Sequence, residues 1–127
     1  MPIHYINTDL EVSEFDLAAL AAALETLGLF ALHAEMGEDR VWRGRFETET
    51  QHDNPETTIA LMLAAIERLG APALADWRRS NLREFNIGYS SGDAPKVLEQ
   101  SLSNQLVHRI AAVGARLGIS IYSIEGV

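Results

Sequence analysis

The chain has 127 residues, a net charge of −8 and no cysteine, which allows one domain with a buried core and excludes disulfides, thiolate nucleophiles and cysteine-ligated metals. Hydrophobic residues make up 47% and charged residues 22%, the ordinary globular balance, and no apolar run reaches the roughly 20 residues of a membrane-spanning helix. The acidic balance argues against a nucleic-acid partner, because such binding depends largely on Lys and Arg at phosphates.

The same features favour a cytoplasmic protein with no membrane partner. The first residues, Met-Pro-Ile-His-Tyr-Ile, have neither the basic segment nor the long apolar segment of a secretory signal. A chain without cysteine is also usual in the cytoplasm. Because an acidic surface attracts positive charge, the balance fits a basic protein partner, or no charged partner at all.

Three helices are predicted from apolar residues at helical spacing. In the first, Ser13 is the expected N-cap and Asp16 follows three residues later, which is a capping pattern. Asn54 and Ser103 are the expected N-caps of the other two. All three helices are predicted to end at a Leu-Gly pair, in which the glycine takes a left-handed conformation: Gly28, Gly70 and Gly118.

Strands are predicted at residues 3–7, 29–36, 41–48, 82–89 and 119–124. Residues 37–40 are typical of a hairpin connection, and residues 71–80 of a short helical or irregular segment. The resulting order is βαββαβ followed by a further helix and strand. It predicts one α+β domain over residues 1–127, a two-layer sandwich with a ferredoxin-like core and helices on one face of a mainly antiparallel sheet.

Period-2 alternation sorts the middle strands into two faces. One face is predicted to pack against the helices: Phe30, Leu32, Ala34, Met36, Trp42, Phe46, Phe85, Ile87 and Tyr89. The other is predicted to be polar and uncovered: His33, Glu35, Arg43, Arg45, Glu47, Glu84 and Asn86. A polar face of this kind can bind a partner or a second copy, although many such faces do neither. Since these outward positions carry no aromatic side chain for base stacking, RNA is not an expected ligand.

The loop after the fourth strand is the second candidate binding element. Its sequence, Ser90-Ser91-Gly92-Asp93, can present backbone amides to a small anion or form a simple turn. The letters of a nucleophile elbow are present around Ser90, but Pro95 separates them from the next helix, which is not the context of that motif. No catalytic residue and no cofactor is predicted, and the loop contributes Ser90 and Asp93 to the candidate binding residues.

Metal ligation has only weak candidates. His52 and Asp53 lie before the second helix, and His33 and Glu35 lie two residues apart on a strand. A metal site requires several converging ligands, whereas negative charge near a helix N-terminus is favoured for electrostatic reasons alone. The sequence therefore predicts no metal.

The last third of the chain resembles a family of small uncharacterised bacterial proteins, which is similar to a broader bacterial domain of unknown function. The resemblance rests on LREFNIGY at residues 82–89, GDAP at 92–95, LS at 102–103 and ISIY at 119–122. The first half agrees in layout. The resemblance implies a fold, and it implies neither a reaction nor a cofactor.

Three functional hypotheses remain open. The first is a non-enzymatic cytoplasmic binding module, such as an immunity-type protein that holds a basic partner on its polar sheet face. The second is a small hydrolase or metal-dependent enzyme that uses His33 with Glu35, or His52 with Asp53. The third is a structural homodimer joined through the sheet face. Small size, acidity and the lack of a coherent catalytic set favour the first.

Overall fold

The computed structural model describes residues 1–14 and 16–123. In that part of the chain, the elements in order are β1 (His4–Glu14), α1 (Ala18–Thr26), β2 (Leu29–Met36), β3 (Trp42–Thr48), α2 (Pro55–Glu67), α3 (Ala73–Arg79), β4 (Leu82–Ser90), α4 (Asn104–Ala112) and β5 (Arg116–Tyr122). The predicted α+β class is confirmed, and the segment at 71–80 contains a short helix. None of the described helices has both the length and the apolar content that a membrane crossing needs.

The strands of the described residues form one sheet in the order β2-β3-β1-β4-β5. Neighbouring strands are antiparallel except for β4 and β5, which are parallel. The sheet is therefore mainly antiparallel, as predicted. β1 is the central strand, and β2 and β5 are the edges.

A single cluster of buried apolar side chains joins the sheet to the helices. The largest fully buried members are Leu10, Leu17, Leu20, Leu24, Phe46, Ile59, Met62, Leu63, Trp77 and Phe85. Burying a side chain of this size contributes about 1.5–3 kcal/mol relative to leaving it in water. This shared core packs the sheet and the helices into one unit.

The predicted starts of α2 and α4 are confirmed. The Asn54 side chain accepts a hydrogen bond from the Thr57 amide, and the Ser103 side chain accepts one from the Leu106 amide. Each bond satisfies a backbone donor that has no partner within the first turn of a helix. These caps are local in sequence, which is why the pattern alone could locate them.

The predicted start of the first helix is wrong. Ser13 lies in β1, opposite Arg43 on β3 and Leu82 on β4, and α1 begins only at Ala18. β1 is longer than predicted because it is the central strand and pairs along its second half with both neighbours. Two ladders of backbone hydrogen bonds stabilise the extended conformation more than one capping bond stabilises a helix.

Two of the predicted helix ends are also wrong. Gly28 has the expected positive φ of 100°, but α4 closes at Gly114, whose φ is 74°, rather than at Gly118. Gly118 lies within β5 opposite Asn86, and α2 ends at Glu67, before Gly70. α4 ends early because Gly114, four residues before Gly118, already takes the left-handed conformation that closes many helices. Of the last predicted strand, residue 124 lies outside the described residues.

The two faces of β2 differ from the predicted faces because the strand contains a β-bulge. Its pairing with β3 shifts register between Ala31 and His33, so Leu32 is the extra residue. A bulge reverses the side on which alternate residues lie. Phe30, predicted to be inside, is opposite Glu47 on the polar side, and Phe30 and Leu32 are exposed. Beyond the bulge the predicted alternation is correct.

Candidate functional site on the open sheet face

The polar side of the sheet, which we call the open face, gathers most of the predicted binding residues. Its side chains share cross-strand register and are exposed or half-buried: Asn7, Asp9, Glu11, Phe30, Leu32, His33, Glu35, Arg43, Arg45, Glu47, Glu84, Asn86, Ser90, Arg116 and Tyr122. The sheet therefore brings together residues that are up to 115 positions apart in the sequence.

A row of four charged residues and one histidine crosses the open face at one register level. From β2 to β5 the row is His33, Arg45, Glu11, Glu84 and Arg116. Arg45 Nη2 donates to Glu11 Oε1 at 3.0 Å, and Arg116 Nε donates to Glu84 Oε1 at 2.8 Å. These two ion pairs cancel most of the charge of the row. Ion pairs of this exposure contribute little to stability, so the row shapes the electrostatic surface more than it holds the fold.

Around the β2 end of this row is a groove of about 420 Å³, lined by His33, Arg43, Arg45 and Glu11 among others. Arg43 is held by Asp39, with Nη2 donating to Oδ2 at 2.7 Å. That hydrogen bond lowers the pKa of Asp39 to about 2. His33 Nε2 lies 3.5 Å from Glu35 Oε1. The basic side chains here already have acidic partners, so the groove is not a ready anion site.

Beside the charged row lie three side chains that accept hydrogen bonds, Asn7, Asp9 and Glu47, which we call the acceptor cluster. Asn7 Nδ2 donates to Glu47 Oε2 at 3.0 Å. Asn7 Oδ1 is buried, and no donor among the described residues bonds to it. A buried acceptor without a partner costs about 1–3 kcal/mol. A ligand that brings an N–H donor removes that cost, provided that the Asn7 side chain rotates to expose its oxygen.

Asp9 adds an electrostatic reason for the same preference. Burial raises the pKa of Asp9, and the neighbouring carboxylates of Glu47 and Glu11 raise it further, while Arg45 lowers it. The Arg45 Nε atom is 3.9 Å from Asp9 Oδ2, too far for a hydrogen bond. The negative charge of Asp9 is therefore incompletely compensated, and an additional positive group would be stabilised there.

Two cavities flank the acceptor cluster and share Ile6, Asn7 and Asp9 in their walls. One, of about 310 Å³, is also lined by Tyr122. The other, of about 400 Å³, includes Leu32. The Tyr122 ring packs over Gly88, where a β-carbon would lie 3.4 Å from Tyr122 Cε2. Acceptors are thus surrounded by apolar and aromatic surface, an environment that suits a long cationic side chain.

Sequence reasoning missed the acceptor cluster almost entirely. The sequence predicts that β1 ends at residue 7, so Asp9 and Glu11 fall outside the predicted strands. The signal was present, since Thr8, Leu10 and Val12 are buried and alternate with polar residues, which is the pattern of a half-buried strand. The expectation that the open face carries no aromatic residue is also wrong, because Phe30 and Tyr122 lie there. The argument from net charge against nucleic acid is independent of that error.

The loop from Ser90 to Asp93 serves the fold. The Ser91 amide donates to the Tyr122 carbonyl and the Asp93 amide donates to the Met1 carbonyl, both at 2.9 Å. A β-carbon at Gly92 would collide with the Met1 carbonyl oxygen. Two of the amides that could have met an anion therefore bond to the chain itself. Ser90 lies at the end of the open face, whereas Asp93 is directed to the N-terminal segment.

The metal candidates His52 and Asp53 lie away from the open face. Half-buried His52 lines a separate cavity of about 410 Å³ with Leu29 and Leu61. Asp53 Oδ1 accepts a hydrogen bond from Asn54 Nδ2 at 3.0 Å. Within residues 1–14 and 16–123, no group of three or more His, Asp and Glu side chains is arranged to hold a metal ion.

Comparison of the chain with protein families, with curated proteins and with solved structures gives no match. The resemblance to a small bacterial family stays a prediction. The functional argument consequently rests on the chemistry of the open face.

Proposed function

We propose that this protein is a non-enzymatic binding module that holds the cationic side chains of a basic protein partner on its open face. The observation that carries the proposal is the acceptor cluster, in which the buried Asn7 Oδ1 has no donor and lies beside the carboxylates of Asp9 and Glu47. A Lys or Arg side chain supplies positive charge and several N–H donors in one group.

The surroundings of the cluster favour a side chain over a small inorganic cation. The flanking cavities of about 310 and 400 Å³ are bordered by Ile6, Leu32 and Tyr122. The aliphatic stem of Lys or Arg packs against such surface while its charged end reaches the acceptors. The net charge of −8 increases the rate at which a basic protein approaches.

We further propose that β1 to β4 with α1 and α2 form a ferredoxin-like βαββαβ sandwich, with the helices on the face opposite the open face. The strand order β2-β3-β1-β4 and the antiparallel pairing support this arrangement. In this proposal α4 and β5 are additions, and the protein works in the cytoplasm. An immunity-type protein that neutralises a basic toxin has the chemistry described here.

Binding of decalysine, measured by isothermal titration, tests the proposal. We expect binding at about 20 mM salt that is lost near 0.5 M salt, because screening weakens charge attraction. The double variant Asp9→Asn/Glu47→Gln should bind about tenfold more weakly.

The matched control is Glu25→Gln/Glu99→Gln, which makes the same change in net charge at two exposed carboxylates outside the open face. Equal weakening by both pairs would mean that net charge alone attracts the peptide. That result would contradict the proposal that the acceptor cluster binds the peptide.

A further inference from the structure

The two edges of the sheet are protected to different degrees. At β2 the edge has a bulge at Leu32 and carries the carboxylate of Glu35, features by which proteins prevent strands from pairing edge to edge. β5 is less protected. Its ladder with β4 runs without a register shift, it contains no proline or acidic residue, and its only charged residue is Arg116.

One side of β5 is apolar and uncovered. Leu117, Ile119 and Ile121 alternate along it and are 41%, 68% and 69% exposed. β-Branched and leucine side chains in such a row gain most from a neighbouring strand with the same pattern. Among the described residues, β5 has a strand partner only on the β4 side.

The backbone of β5 offers its outer edge to another strand. The Tyr122 carbonyl accepts the Ser91 amide on the β4 side, and successive residues of a strand direct their N–H and C=O groups to opposite sides. Leu117, Ile119 and Ile121 therefore direct theirs to the outer edge. An incoming antiparallel strand can hydrogen-bond to all three.

We propose that β5 pairs antiparallel with β5 of a second copy about a two-fold axis at Ile119, which joins two five-stranded sheets. In this register Ile119 faces its own counterpart, and Leu117 faces Ile121. The outward backbone groups then form about six hydrogen bonds. At each end Arg116 faces Tyr122, on whose ring a guanidinium can stack.

A second copy fits this edge better than a basic partner does. From residue 112 to residue 123 the chain contains no Asp or Glu, so a basic strand would find no carboxylate along β5. The net charge of −8 makes two copies repel each other, and β5 adds no acidic residue to that repulsion. A two-fold contact also closes on itself and produces a dimer rather than a fibre. The proposal does not rest on the binding function of the open face, although Arg116 and Tyr122 belong to both surfaces.

Single cysteines test the register, because the chain has none of its own. Residues that face each other in a hydrogen-bonded antiparallel pair have Cα atoms about 5.5 Å apart, within the range of a disulfide. Ile119→Cys should therefore form a covalent dimer under mild oxidation. Leu117→Cys alone and Ile121→Cys alone should not, since each lies about 13 Å from its own counterpart, whereas an equimolar mixture of the two should cross-link. Val97→Cys, at 65% exposed, controls for random collision.

Sedimentation equilibrium from roughly 1 to 500 µM tests the association itself. The wild type should pass from monomer to dimer, and Ile119→Lys should raise the dissociation constant at least about tenfold, because it places two like charges face to face. The thermal midpoint of that variant at low concentration shows that the monomer still folds. A wild-type monomer at every concentration, or equal cross-linking by Ile119→Cys, Leu117→Cys and Val97→Cys, would overturn the proposal.

Discussion

The open face and the loop from Ser90 to Asp93 both looked like sites in the sequence, and they differ in what happens to their polar atoms. In the loop, the Ser91 and Asp93 amides bond to the Tyr122 and Met1 carbonyls. In the acceptor cluster, Asn7 Oδ1 keeps a free lone pair within a buried setting. A polar group indicates function when the fold leaves it unsatisfied, because satisfied groups already have a structural role.

The largest expected effect lies in the loop and concerns stability. Gly92→Ala places a β-carbon against the Met1 carbonyl oxygen, which should displace the N-terminal segment and cost about 2 kcal/mol in the free energy of unfolding. Gly70→Ala is the matched control, since a β-carbon there meets nothing within 4 Å. Urea unfolding measures both, and equal stability of the two variants would contradict the structural role of the loop.

Asn7 should behave in the opposite way. Asn7→Ala removes the unpartnered acceptor and should weaken decalysine binding by roughly threefold to tenfold, as loss of one net hydrogen bond of about 0.5–1.5 kcal/mol would. The free energy of unfolding should change by less than about 1 kcal/mol, because the lost bond to Glu47 is offset by loss of the unpaired buried oxygen. Titration calorimetry and urea unfolding separate the two effects, with exposed Asn81→Ala as control. A large loss of stability with unchanged affinity would assign Asn7 to the fold.

The pH dependence of stability distinguishes Asp9 from ordinary surface carboxylates. Because the pKa of Asp9 is raised in the folded state, the folded state binds its proton more tightly than the unfolded state does. Below the unfolded pKa of 3.8, Asp9 is protonated in both states and does not change the free energy of unfolding. As pH rises from the unfolded pKa to the folded pKa, ionisation of Asp9 progressively lowers the free energy of unfolding. The full loss is reached above the folded pKa.

Asp9→Asn should consequently be more stable than the wild type at neutral pH, by less than about 1 kcal/mol, and the difference should vanish near pH 3.8. It should also bind decalysine more weakly. Thermal unfolding between pH 3.8 and neutral pH measures the difference in stability. A variant that is less stable than the wild type at neutral pH would show that Asp9 serves the fold through Arg45.

The smallest expected effect concerns Tyr122, the aromatic side chain beside the acceptor cluster. Tyr122→Leu keeps apolar packing over Gly88 but removes the ring, and should weaken decalysine binding by roughly twofold to threefold through loss of a cation–π contact. Tyr122→Phe retains the ring and should bind like the wild type. If the Leu and Phe variants bind decalysine equally well, the side chain at position 122 contributes only apolar surface.

Local features of the fold were predictable because their physics is local. The caps at Asn54 and Ser103 each depend on a side chain and an amide three residues away. The hairpin at residues 37–40 forms through the Gly37 amide and the Val41 carbonyl, 2.9 Å apart. Short-range hydrogen bonds of this kind leave a pattern in neighbouring residues.

The candidate site was predictable only in part. The alternation that placed Arg43, Arg45, Glu84 and Asn86 on one face was correct, since strands obey a period of two until a bulge intervenes. The bulge at Leu32 follows from pairing with β3 and leaves no distinct mark in the residues of β2 themselves. The prediction for Phe30 failed for that reason.

The sequence by itself determined the α+β class, the acidic surface, the number of strands and the caps of two helices, because composition, periodicity and capping act over a few residues. Only the tertiary structure decided that β1 continues through Asp9 and Glu11, that Asn7 lies beside Glu47, 40 positions away, and that the apolar row of β5 is left at an edge. These facts depend on which strands become neighbours, and that choice is made by burial and backbone pairing between distant segments.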